Sequence, residues 1–192
     1  MTGEASCKVA EASETIELGA ENKRIALLIG ALALALALTE VAGDDAKTEA
    51  QMQNVASANL WAYFQARTIR QTVLSAEADR AALDAGAAQD AARGALEQQV
   101  ARWRSTVARW ESEPETGEGR RELMARAREA EAARDRAMRE DGRYDAAAAL
   151  LQVGIVLASA GIITGTVALS WVAGALGVAG AALSAATFFG LV

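Results

Sequence analysis

Histidine is absent from the chain and cysteine occurs once, at Cys7. Without histidine the protein lacks both the commonest metal ligand and the commonest general base. A lone cysteine makes no internal disulfide, and residues 1–6 lack the apolar stretch that a lipid anchor on Cys7 would need. Proline also occurs once, at Pro114, which favours long uninterrupted helices. Aromatic residues make up 5% of the chain against 52% for the hydrophobic class, so Ala, Leu, Val and Ile carry the apolar content. A large aromatic-filled core is therefore not expected. Alanine is the strongest helix former, and no long stretch alternates as a strand does, so the fold class is read as all-α.

Charge is missing in blocks. Residues 146–192 contain no Asp, Glu, Lys or Arg. A span needs roughly 20 apolar residues, so this run predicts two transmembrane helices, 146–170 and 171–192, with a tight corner at Trp171 to Gly174. Arg139, Asp141, Arg143, Tyr144 and Asp145 mark the water boundary before it. A first span is read at 25–43, between Lys23 and Arg24 on one side and Asp44 and Asp45 on the other. The polar stretch before it, an acidic N-terminal tail over 1–24, and the lack of a tidy cleavage site argue against a secretory signal. Glu40 lies within a turn of the span's end; it is read as an interfacial acid, with a ring of pore-lining carboxylates as the sharper alternative. The integral membrane protein so drawn has three transmembrane helices.

Small residues in the C-terminal run have helix-packing spacing. Gly154 and Ala158, then Gly161 and Gly165, fall four apart, and Gly174, Gly177 and Gly180 fall three apart. Such faces let helix backbones approach closely in lipid. They serve either packing of the two spans on each other or contact between chains.

Between the first and second spans the chain is a mixed-charge helical stretch rather than a basic nucleic-acid patch, and no nucleic-acid partner is expected. PETGEG at 114–119, with Pro114 and two glycines, predicts the tip of an extramembrane, coiled-coil-like helical hairpin over 78–145. On the outgoing arm Leu96, Val100, Trp103, Val107 and Trp110 repeat as a heptad seam does. Leu123, Ala127, Ala130 and Ala137 offer a matching seam on the return. At about 1.5 Å per residue a straight rod from 44 to 112 far outruns that return, so a bend is expected, with Gly86 and Gly94 as weak points. Residues 44–77 are read as an amphipathic helix on which Trp61, Tyr63, Phe64, Arg67 and Arg70 either meet the headgroup layer or contact neighbouring chains.

The element ASANLWAYFQARTIRQT, at 56–72, together with the charged helical middle and the glycine-rich C-terminal pair containing IVLASAGIITG, resembles a bacterial membrane-protein family known as domain of unknown function 4337. The resemblance covers roughly residues 23–192, and the Trp61 to Arg67 element is its most specific part. It implies bacterial origin and a membrane location. Because the family's activity is not established, it implies no catalytic residues.

Basic residues near span ends set orientation, and Arg134, Arg136, Arg139 and Arg143 outnumber Lys23 and Arg24. They favour a cytoplasmic middle domain with the corner of the C-terminal pair outside, and with the bacterial origin that the resemblance implies the expected location is the inner membrane. No catalytic, cofactor or metal constellation is found: there is no Cys/His set, phosphate-cradling loop or nucleophile elbow. Acid pairs such as Glu129 and Glu131 sit among arginines and read as surface ion pairs. The leading expectation is a non-enzymatic, self-associating membrane scaffold or docking element whose partners are the lipid bilayer and further copies of the chain. The alternatives are an oligomeric pore, lined by Glu40 or by Gln152, Thr164 and Thr166, and an accessory subunit that binds an unidentified membrane protein.

Overall fold

The computed structural model describes the backbone of residues 3–191 and the side chains of residues 23–191. Expectations about Cys7 and the side chains of the acidic tail lie outside the described residues. Among those described there are four helices and no strand: α1 (Gly3–Ala87), α2 (Asp90–Glu111), α3 (Arg120–Thr164) and α4 (Val167–Phe188). Three of them, α1, α3 and α4, are long and apolar enough to cross a membrane by length and composition. The chain divides into an apolar unit, Met1–Thr48 with Ala137–Val192, and a charged unit, Glu49–Arg136.

In the apolar unit three helical segments pack through small residues. Leu32 of α1 is 6% exposed and sits between Gly154 of α3 and Gly177 of α4. A Cβ on Gly154 would stand 3.1 Å from the Ala173 carbonyl oxygen, and one on Gly180 would stand 2.9 Å from that of Ala147. The second approach is closer than a side chain permits and the first is tighter than nearly all side chains make, so here glycine is what lets α3 and α4 meet backbone to backbone. Ala158 is fully buried on the same α3 face, and Gly161 lies against Ser170 and Thr166. Thr39 joins α1 to α4 by donating to Ser184 Oγ at 2.9 Å. Tyr144 of α3 packs over Gly43 of α1.

The corner of the C-terminal pair differs from the expected one. It falls at Gly165 and Thr166, not at Trp171 to Gly174, because Gly165 adopts φ +66° and ends α3. Only glycine takes that conformation without strain, so it is the natural helix stop in the run. Neither Gly165 nor Gly174 has a neighbour within contact distance of a Cβ, so the close-packed set is Gly154, Ala158, Gly161, Gly177 and Gly180. Glu40 is exposed and lines a cleft of about 250 Å³ with Asp44, Lys47, Asp141 and Asp145.

In the charged unit the reversal of the chain is also placed differently. It lies at Ala88 and Gln89, between α1 and α2. Contacts along the unit settle the direction of each arm. On α2, Arg104 meets Asp79 of α1 at 3.3 Å, and the Val107 carbonyl accepts from Gln71 at 3.5 Å. On α3, Glu131 accepts from Trp61 Nε1 at 2.8 Å and Arg134 reaches Asn54 at 3.5 Å. As α2 and α3 advance, their partners on α1 recede steadily, so both helices run antiparallel to α1. The hairpin therefore has α1 as one arm and α2 followed by α3 as the other, and PETGEG is a joint within the return arm rather than its tip. This removes the mismatch in arm lengths: residues 49–87 go out, and residues 90–111 with 120–136 come back over the same ~60 Å. The bend expected in the rod from 44 to 112 is this reversal, two residues past Gly86, while through 44–77 α1 is unbroken.

The expected seams turn inward on this framework. Val100 is 7% exposed, with Leu96, Trp103, Val107 and Trp110 half-buried beside it. Leu123 and Ala127 are fully buried, and Ala130 and Ala137 nearly so. The first three of these α3 residues belong to the charged unit and Ala137 to the apolar one.

Candidate functional site

The charged unit gathers its polar side chains where α2 gives way to α3, against residues 61–71 of α1. The joint forms because Pro114 lacks the amide N–H that a helix interior needs and Gly117 takes φ +67°, outside the helical region; the Gly117 amide donates to the Glu113 carbonyl at 3.0 Å. Glu122, in the first turn of α3, reaches back and closes the loop. It accepts from Ser112 Oγ at 2.6 Å and from the Glu113 amide at 3.2 Å. The Ser112 hydroxyl holds its carboxyl below the usual carboxylate range, burial opposing. Gly119 lies under this carboxylate so tightly that a Cβ there would meet Glu122 Oε2, the Glu113 nitrogen and, at 2.8 Å, Ser112 Cα.

From α1 come the residues of the Trp61 to Arg67 element, one helical turn after another. Trp61 donates to Glu131, and its ring meets Phe64 edge to face at 5.4 Å. Tyr63 donates to Glu118 at 3.1 Å. Arg120 stacks over the Phe64 ring at 5.9 Å. Arg67 is 8% exposed; its guanidinium pairs with Glu113 at 3.2 Å and lies 5.4 Å from the Trp110 ring centroid. A guanidinium suits such a place because it presents a planar donor fork to a carboxylate and a flat face to an aromatic ring. Arg70, the last of the expected group, is exposed on α1.

The electrostatic centre is Glu111, the last residue of α2. It accepts from Arg120 at 2.9 and 3.2 Å, from Gln71 at 3.1 Å and from Arg121 at 3.2 Å. The hydrogen bond from Arg120 and then that from Gln71 hold its carboxyl at about 2, against an opposing contribution from burial. A two-toothed Arg–carboxylate contact is the strong form of such a pair.

Sequence reasoning grouped Trp61, Tyr63, Phe64 and Arg67 and placed Trp110 on an inward seam. It missed the partners that the fold brings to them: Gln71, Glu111, Glu113, Glu118, Arg120, Glu122 and Glu131. The local signal that was available is the S-x-x-x-x-x-x-x-x-x-E spacing of Ser112 and Glu122 across a Pro/Gly loop, which is not one of the short capping patterns. Arg93 was missed as well. It donates from Nε to the Ala85 carbonyl at 3.2 Å and from Nη2 to that of Gly86 at 3.3 Å, satisfying the end of α1, whose own last turn carries no basic residue.

Among the described residues there is no group of three or more Cys, Asp and Glu side chains arranged to hold a metal ion. No curated protein and no solved structure matched the chain. One family model, described as Domain of unknown function (DUF4337), matches residues 21–190, a stretch that includes the Trp61 to Arg67 element and all the helices beyond the first turns of α1. The chain belongs to the DUF4337 family.

Proposed function

We propose that the protein is a non-enzymatic scaffold of a bacterial inner membrane, anchored by its apolar unit, that self-associates and offers its charged hairpin as a docking element. One observation carries this reading. The most distinctive polar and aromatic residues of the chain, Trp61, Tyr63, Arg67 and Gln71, are engaged with the loop and helix ends at 107–131, where they brace the return arm against α1. Side chains committed in this way set a shape. A rigid, solvated two-armed helix pair on a membrane anchor suits holding or spacing other molecules. The arginines that precede the second apolar run favour a cytoplasmic face for the charged unit.

The reading is tested by extracting the full chain gently into nanodiscs and measuring its mass across a range of concentrations. Two or more copies that persist on dilution are expected. A single copy at every concentration would remove the self-association on which the scaffold depends.

A further inference from the structure

α1 carries the same seven-residue repeat on two opposite faces. The inner face holds Ser57, Phe64, Gln71, Ala78 and Ala85, all buried or half-buried. On the outer face Val55, Ala62, Ile69, Ala76 and Leu83 recur at every seventh position, and every one of them is exposed. Met52, Asn59, Ala66, Val73 and Arg80 stand three residues before each and are exposed too. Spacings of three and four, sustained over more than four heptads, make the pattern of a coiled-coil seam. Ile69 is 64% exposed and Leu83 78%. Scattered exposed apolar side chains are ordinary, but a strip of them in register along one helix marks a contact surface.

We propose that this strip pairs with the same strip of a second copy of the chain, the two α1 helices lying parallel and in register. The inference rests on the self-association reading above and names the surface that performs it. Four observations select a second copy as the occupant. Copies inserted in one bilayer share a direction, so α1 meets α1 in parallel. In that arrangement Asn59 faces Asn59 of the other copy, where each amide supplies the donor and acceptor the other needs; a shift of one heptad would set it against Met52 or Ala66. In the same register Arg80 faces Arg80 of the other copy, and the Asp79 and Glu77 carboxylates that flank the pair offset this like charge. The strip is ~47 Å long and about 10 Å wide, so the pair covers on the order of 1,000 Å², the lower bound for a specific interface. Confinement of both copies to one membrane raises their effective concentration further. Asp79 and Asp84 would approach across the pair as like charges, and Arg104, paired with Asp79 at 3.3 Å within the chain, offsets this.

The test uses the full chain with Cys7→Ser and single cysteines at Val55→Cys, Ile69→Cys or Leu83→Cys, oxidised in native membranes, with Ser105→Cys on the exposed side of α2 as the control. A band shifted to twice the mass at all three seam positions, and none at Ser105, is expected. Disulfides at both ends of the seam require parallel chains, since an antiparallel pair joins like positions only near its centre. Native mass is measured on the same preparations. Several copies with no disulfide at any seam position would overturn this inference and leave self-association standing, the strip then being covered by lipid or by another protein. A single copy would overturn both. The double variant Ile69→Lys/Val73→Lys gives an independent reading: halved native mass with unchanged helix content is expected, and retention of the parent mass contradicts the proposal.

Discussion

The guanidinium of Arg67 lies 3.2 Å from the Glu113 carboxylate and 5.4 Å from the centre of the Trp110 ring, so one residue of α1 holds both the end of α2 and the loop that follows it. The Arg67 side chain is 9% exposed and that of Glu113 23%, which makes this the most enclosed ion pair among those in the charged unit. Arg67→Ala removes the cation and leaves Glu113 in place, and should cost about 2 kcal/mol or more in chemical unfolding followed by circular dichroism. Arg67→Met with Glu113→Gln should cost less than Arg67→Ala alone, because neither charge is then stranded. Equal losses in the two variants would show that the pair acts through packing alone.

Stability should also depend on acid through Glu111. Its folded pKa of about 2 lies below the ordinary value of 4.5. A depressed carboxylate contributes stability that is fully present above the unfolded pKa and is lost as pH falls from there through the folded one. The unfolding midpoint should therefore hold steady above about pH 5 and fall between about pH 4.5 and 2. In Glu111→Gln that acid-dependent fall should be reduced, and an identical pH profile in the two proteins would contradict the role given to this carboxylate.

Gly119→Ala places a methyl group against the Glu122 carboxylate and the backbone of Ser112 and Glu113. Relief requires the loop to open, so the variant should lose roughly 1–3 kcal/mol, the range for overpacking at a tight site. Hydrogen exchange should quicken at the Glu113 amide and through the first turn of α3. Gly142→Ala, at a glycine with open space around it, should be neutral or mildly stabilising and serves as the comparison.

In the apolar unit, Gly177→Val collides with Leu32, whose side chain fills the space left by the glycine. Helix association in lipid relies on close van der Waals fit, so thermal stability in detergent should drop. Combining it with Leu32→Ala should restore part of the loss. If the double variant is no better than Gly177→Val alone, the two residues do not share one packing site.

The helix class, the three apolar runs and an interruption at 114–119 were legible in the sequence because each depends on local composition. The inward orientation of Val100, Leu123 and Ala127 was legible too, since heptad spacing reports which face is buried. It does not report which helix covers that face. Trp103 and Trp110 therefore suggested a pairing of α2 with α3, whereas the polar contacts of Arg104 and Gln71 set α2 on α1. The reversal at Ala88 and Gln89 carries no proline and only a nearby Gly86, so the richer turn chemistry of PETGEG drew the tip to itself. The corner at Gly165 had a readable signal, a glycine between Thr164 and Thr166, which division of the apolar run by length passed over. The partners of Arg67 and Glu111 lie scores of positions away on other helices or across a loop, and only tertiary structure brings them together.

Self-association is the claim on which the scaffold reading turns, and counting copies in the native membrane tests it most directly. The full chain, fused at its C-terminus to a fluorescent protein and excised with its surrounding lipid into polymer nanodiscs at low expression, should bleach in two or more steps per particle. Particles that bleach in one step throughout, at every expression level, would contradict the account.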